Sequence, residues 1–201
     1  PAPSEPEPSR PLAPSRPADE EPAVQSPLSD DDGARFKRGR IIHRLLETLP
    51  ALDTDARRAA AVAWLARPGH GLTSEEQKAM AEETFRVLED AAFAPLFGPG
   101  SRAEAPLIGE VGGTVLSARI DRLLVTDSAV TIVDFKTNRP PPGDAAHVPE
   151  TYLRQMAAYR AALSAIYPDK SIICLLLWTD GPDIMILSDA LLDAHAPGNT
   201  A

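Results

Sequence analysis

Thr131-Ile132-Val133-Asp134-Phe135-Lys136-Thr137-Asn138 is an apolar run that ends in an acid and a lysine two residues apart. Side chains alternate along a strand, so Asp134 and Lys136 share a face with Ile132, while Val133 and Phe135 point the other way. In isolation, Asp-x-Lys at a strand end is an ordinary ion pair. The preceding segment gives it more weight. Leu116 to Val125 also reads as a strand, and Thr126-Asp127-Ser128-Ala129 reads as the turn between the two. If Asp127-Ser128 is a two-residue hairpin loop, Asp121 falls directly opposite Asp134. Opposed side chains have Cβ atoms roughly 5 Å apart. Two carboxylates at that separation repel, and one pKa rises unless a cation lies between them. A divalent metal is the simplest resolution.

Working outward, residues 1–33 hold nine prolines and eight acids against two arginines, with almost no large apolar side chain. Such a segment buries too little to offset its ordering entropy and is expected to be a disordered or extended linker. It carries −6 of the formal charge of −9, which leaves −3 for the remainder. No global basic footprint for nucleic acid results, so DNA contact would have to be local. Arg35, Lys37, Arg38, Arg40 and Arg44 form the one basic cluster, which reads either as a solvated helix face or as a phosphate-contacting surface. The absence of a starting methionine, together with the proline-rich lead, reads as a fragment of a longer polypeptide.

Cys174 is the only cysteine, set in the apolar run 172–177. It excludes an intrachain disulfide framework and a four-cysteine zinc or iron–sulfur site, and reads as a buried inert thiol in a reducing cytoplasm. No signal-peptide pattern opens the chain and no apolar run is long enough to cross a bilayer, so no membrane association is expected.

Helical periodicity is expected over 34–49, 54–66 and from 73 or 74 to about 92, with Thr73 or Ser74 as a cap. A short strand around 103–108 precedes the hairpin of 115–125 and 130–136. A helix over 151–166, an apolar strand over 171–178 that suits burial on both faces, a short strand over 184–187 and a helical turn or two complete the order. The fold class expected is α/β, with a mixed central sheet and an N-terminal helical layer. The folded domain spans 34–195 and the tail 196–201.

His43 lies one helical turn after Gly39, a residue that costs helix stability, could mark a helix start, and opens space near the imidazole. Gln155 and Tyr159, four apart, share a helix face; alone they are a polar residue and an aromatic at a core edge. In chain order these residues read Gly39-x-x-x-His43, then Glu104, then Ile120-Asp121-Arg122, then Val133-Asp134-Phe135-Lys136-Thr137-Asn138, then Gln155-x-x-x-Tyr159. This succession closely resembles the RecB-like branch of the PD-(D/E)XK nucleases, and within it the C-terminal nuclease domains of AddA-type bacterial helicase–nucleases. The resemblance spans about residues 34–187. Asp121-Arg122-Leu123, Asp134-Phe135-Lys136-Thr137-Asn138-Arg139 and Gln155-Met156-Ala157-Ala158-Tyr159-Arg160 sharpen it.

The resemblance implies a restriction-endonuclease-like core and metal-dependent hydrolysis of DNA strands. His43, Asp121 and Asp134 would be metal ligands, with the Phe135 carbonyl as a fourth. Lys136 would orient or deprotonate the attacking water and offset phosphate charge. Gln155 and Tyr159 would hold Lys136 or the DNA backbone, Glu104 would serve a second metal or stay behind the first ligands, and Arg40, Arg44 and Arg139 would contact DNA. Oxygen-rich ligation with one imidazole favours Mg²⁺ or Mn²⁺ over zinc. The implied partners are single-stranded DNA ends, a helicase portion of the same polypeptide and an AddB-like subunit, in end resection and double-strand break repair. No phosphate-loop motif occurs, so this segment holds no ATP site. Related CRISPR-associated exonucleases and AddB-like subunits carry an iron–sulfur cluster on four cysteines, which Cys174 alone cannot build. A catalytically silent module that binds DNA or a partner subunit is the alternative. One departure stands out: the family's usual glycine three residues before the first metal-binding acid is Ala118 here.

Overall fold

The computed structural model describes residues 30–197, with backbone alone for 30–32, 34 and 35. The expected linker and tail lie outside the described residues, apart from 30–33 and 196–197. The first helix, α1, runs Asp30–Thr48, so it starts four residues earlier than its apolar pattern implies. The residues before 34 carry no apolar periodicity, so the pattern gives no sign of this first turn. Gly39 is therefore inside α1 and does not mark its start. α2 (Thr54–Leu65) follows, then α3 (Ser74–Leu88), which is shorter than the expected span to 92. Thr73 caps α3 in a reciprocal box: its hydroxyl accepts from the Glu76 amide while Glu76 accepts from the Thr73 amide.

Five strands form one sheet in the order β1 (Ser101–Val111), β2 (Thr114–Val125), β3 (Ala129–Lys136), β4 (Ser171–Trp178) and β5 (Asp183–Leu187). All neighbours are antiparallel except β3 and β4, which α4 (Glu150–Ile166) joins as a parallel crossover. α5 (Asp189–Asp193) ends the described elements. β1 is almost twice its expected length. Its continuation rests on a Gly112-Gly113 turn with both residues at positive φ, 58° and 78°, the geometry a two-residue hairpin demands.

The strands sort their side chains between two cores. Val130 and Ile132 of β3 and Cys174, Leu176 and Trp178 of β4 pack toward α4 and α5. Val133, Phe135, Leu175 and Leu177 pack toward α1 and α3, together with Ile42, Leu45 and Leu46. Both faces of β3 and of β4 from Cys174 onward are thus covered, as the apolar run of 172–178 suits, while Ser171 and Ile173 at the start of β4 stay exposed. Burial pushes the Cys174 thiol up to about 12, which leaves it an inert core residue. Ala118 is half-buried against the α4-side core.

Candidate nuclease centre

The β2–β3 hairpin turns on Asp127-Ser128, with Val125 opposite Val130 and Arg122 opposite Val133. The Thr126 amide donates to the Ala129 carbonyl at 2.8 Å and closes the turn. Continued by one residue, this register sets Asp121 against Asp134, but the ladder stops at Arg122 and Val133. Past that point Phe135 donates its amide to Asp121 Oδ2 at 2.7 Å, so a side chain replaces the ladder bond. A matching gap occurs on the other side of β2. Ala103 pairs with Arg122 and Ala105 with Ile120, while Glu104 and Asp121 between them do not pair. Glu104 has φ 50°, a left-handed conformation uncommon for a residue with a side chain. Glu104, Asp121 and Asp134 therefore stand in one row across β1, β2 and β3, at the point where regular pairing gives way.

Side chains from both layers converge on this row. From α1, His43 Nδ1 lies 3.5 Å from Asp121 Oδ2, and its ring meets Phe135 edge-on with centroids 5.8 Å apart. From α4, Gln155 donates Nε2 to Asp134 Oδ1 at 2.9 Å and accepts from Lys136 Nζ at Oε1, at 3.3 Å. Gln155 Nε2 also meets the hydroxyl of the fully buried Tyr159 at 3.0 Å. Lys136 Nζ is 2.5 Å from Asp134 Oδ2 and 3.8 Å from the centre of the Tyr152 ring. The ammonium is the one charged partner that the structure shows at that buried oxygen among the described residues.

The electrostatics separate the two central carboxylates. Desolvation raises the Asp134 pKa, Asp121 adds to the rise, and Lys136 offsets only part of it. Desolvation also acts on Asp121, but His43 and the Phe135 amide outweigh it and hold that carboxyl below its ordinary value. Burial would lower His43, yet the Asp121 and Asp134 charges leave its pKa raised. Glu104 is raised, by desolvation first and then by Asp121 and Glu47. This is a site with surplus negative charge for its depth.

Among the described residues no three His, Cys, Asp or Glu side chains already stand in metal-binding geometry. The donor types nonetheless fit a hard divalent cation: two carboxylates on adjacent strands, an imidazole beside one of them, and a buried Asp134 oxygen whose partner is a cation. Lys136 supplies the positive charge at that oxygen here.

The expected DNA-contacting arginines divide. Arg40 and Arg44 line a cavity of about 590 Å³ beside α1, and Arg44 also pairs with Glu47 at 2.7 Å. Arg139 is half-exposed and held by two acids, Glu83 Oε2 at 2.8 Å and Asp180 Oδ2 at 3.2 Å. Arg38, grouped in the sequence with the basic cluster, turns inward, donating to the Thr137 carbonyl at 2.8 Å and pairing with Glu83. Gly39 lets α1 approach the β3 exit, since a Cβ there would meet Thr137 Oγ1 at 3.0 Å. The space that Gly39 opens is thus filled by protein.

A profile of the PD-(D/E)XK nuclease superfamily matches residues 20–179. The chain belongs to this superfamily. Nucleases of the PD-(D/E)XK superfamily are metal-dependent phosphodiesterases, and the mixed five-stranded sheet flanked by helices is their fold. Among solved structures, a protein of Eubacterium rectale described as a "Putative exonuclease" aligns with TM-score 0.54 and 16% identity over 85% of this chain. The chain spans 64% of that protein's length, and at this identity the likeness is one of fold. A structure described as SSO0001 aligns with TM-score 0.34 and 14% identity, over 79% of this chain and 81% of its own. No curated protein matches the chain significantly.

Two residues of this PD-(D/E)XK centre escape sequence reasoning. Tyr152 reads as part of the apolar stripe of α4, yet its ring faces the Lys136 ammonium and its hydroxyl donates to Asn138 Oδ1 at 3.0 Å. Its place three residues before Gln155 on one helix face was the available signal. Glu83 reads as one more acid of α3 but is fully buried, taking Arg38, Arg139 and the Thr179 hydroxyl. Nothing in its local sequence marks it. No helix among the described residues is long and apolar enough to cross a membrane.

Proposed function

We propose that the chain is the nuclease domain of a helicase–nuclease of the AddA type, which hydrolyses phosphodiester bonds in single DNA strands during end resection and recombinational repair of double-strand breaks. The observation that carries this reading is the convergence of Asp121, Asp134, Lys136 and Gln155 at the place where β2 and β3 part. His43, Asp121, Asp134 and the Phe135 carbonyl would hold Mg²⁺ or Mn²⁺. A divalent ion at such a set supplies Lewis acidity toward phosphate and lowers the pKa of a coordinated water.

The protein's own groups do the rest. Lys136 orients the attacking water and offsets the charge that grows on the phosphate oxygens as the bond to the leaving oxygen breaks. Gln155 fixes both partners at once, one end on Asp134 and the other on Lys136. Tyr159, with no access to solvent, acts on the Gln155 amide and has no route to DNA. Tyr152 presents its ring to the ammonium and limits where it can swing. Glu104 stands behind Asp121 and adds negative charge to the row. The helicase portion, an AddB-like subunit and preference for single strands delivered by the motor belong to the same proposal, and rest on the order of motifs along the chain.

The deciding experiment is cleavage of end-labelled single-stranded DNA with Mg²⁺, with Mn²⁺ and with EDTA, beside Lys136→Ala. Metal-dependent cutting that disappears in the variant is the expected result. Metal binding by calorimetry without cutting would point to a domain that waits for its motor. Absence of metal binding would overturn the nuclease reading and leave the silent binding module.

A further inference from the structure

The cavity beside α1 is separate from the acidic row and has a different chemistry. Its walls include Lys37, Arg40 and Arg44 from α1, Trp64 from α2, and His70 and Gly71 from the α2–α3 connection. Positions 37, 40 or 41, and 44 recur on one helix face. The three cations therefore form a stripe along the groove, and Ile41 supplies its floor. Arg40 is exposed and makes no hydrogen bond or ion pair among the described residues, while Lys37 Nζ only reaches the Gly71 carbonyl at 3.2 Å. Opposite the stripe, the Trp64 and His70 rings pack with centroids 4.2 Å apart, tilted by 50°. His70 Nε2 is buried and has no hydrogen-bond partner.

A row of cations facing an aromatic wall, in a cleft of nucleotide size, is the combination that holds single-stranded nucleic acid: phosphates on the cations, a base against the rings. The exposed Arg40 guanidinium is available to a phosphate, and the buried His70 Nε2 without a partner is the feature of this cavity that packing alone leaves unexplained. We propose that this groove is a binding site for the DNA strand, with phosphates on Arg40 and Arg44 and a base against Trp64. Arg40 lies three residues before His43 on α1, so a strand seated here runs on toward the acidic row. The proposal rests on the nuclease reading for the identity of the strand, and its test separates the two.

The test is binding of a single-stranded oligothymidylate about ten residues long, within the usual range of site sizes, to the full chain in EDTA, where no cutting occurs. Fluorescence anisotropy reads affinity and tryptophan emission reads the groove, because the other tryptophan, Trp178, is only 1% exposed. Arg40→Ala with Arg44→Ala should weaken binding at least about tenfold and reduce the salt slope by about 1.4, the value for two phosphate contacts on a single strand. Trp64→Leu keeps the apolar wall without a ring face; it should weaken binding roughly fivefold or more and abolish the emission quench. Arg40→Ala alone removes no hydrogen bond or ion pair among the described residues, and an unchanged melting temperature separates any loss of binding from a folding defect. Unchanged binding in all three variants overturns the groove, and cutting by the wild type would then leave the nuclease reading standing. Binding through the groove, with neither metal-dependent cutting nor metal binding by calorimetry, supports the site while removing the nuclease reading. Equal saturation of the quench by inorganic phosphate would reduce the site to an anion hole and overturn the strand assignment.

Discussion

Gln155 is the residue on which the proposed chemistry turns, because a neutral amide can satisfy an anion and a cation together. Its Nε2 donates to Asp134 and its Oε1 accepts from Lys136, so the two charged groups are held at a set spacing without a further charge. Replacing Gln155 by Ala should lower cleavage by about two orders of magnitude, the scale of a misplaced catalytic group, with the far-ultraviolet circular dichroism unchanged. Tyr159→Phe removes only the hydroxyl behind that amide. It should cost about 1 kcal/mol in urea denaturation and a smaller fraction of activity. Asp134→Ala should abolish cleavage with the fold retained, since Asp134 lies near the end of β3 and serves no apolar packing. Unfolding of that variant would instead make the acid a structural group. Sequence spacing placed Asp134 and Lys136 on one face, and the structure has them there. That Gln155 and Tyr152 meet Asp134 and Lys136 depends on where α4 crosses the sheet, which spacing does not specify.

The elements that carry these residues are held by local devices of ordinary size. Thr73→Ala removes the hydroxyl half of the α3 capping box and should cost about 1 kcal/mol of unfolding free energy by denaturant titration. The acid half carries a pH signature. The Thr73 amide and then its hydroxyl hold the Glu76 pKa below the ordinary glutamate value. A depressed folded pKa gives stability that is present above the unfolded value of 4.5 and is lost as pH falls through the folded one. The melting-temperature gap between wild type and Glu76→Gln should therefore be open at neutral pH and close as pH drops below that value. α1 is set against the β3 exit by Gly39. In Gly39→Ala the added methyl meets Thr137 Oγ1, while helix propensity gains about 1 kcal/mol. Stability should change little, and cleavage should fall as α1 and His43 move off the sheet. The hairpin at Asp127-Ser128 and the start of α3 at Thr73 or Ser74 were legible because each is written in four adjacent residues, and the structure places the cap at Thr73. The Gly112-Gly113 turn carried an equally local signal and doubles β1.

At the scale of the molecule, Glu83 ties together four segments that are distant in the chain. One buried carboxylate of α3 takes Arg38 of α1, Arg139 from the segment after β3 and Thr179 just after β4. Glu83→Ala should cost about 3 kcal/mol in chemical denaturation, the low end for breaking a buried pair, because both guanidinium groups retain access to water. A normal midpoint would mean that the arginines find other acids. By itself the sequence determined the element order, the β2–β3 register as far as Arg122 and Val133, and the burial of the apolar run of β4. These follow from periodicities of 2 and 3.6 and from short-range turn chemistry, which are properties of neighbouring residues. Only the tertiary structure decided that Arg38 turns inward, that Glu83 is buried, that Tyr152 covers Lys136, and that Trp64 and His70 share a cavity with the α1 cations. Each of these depends on how helices pack on the sheet or on one another. Packing is settled by the fit of whole surfaces, and side chains distant in the chain meet only after that fit exists.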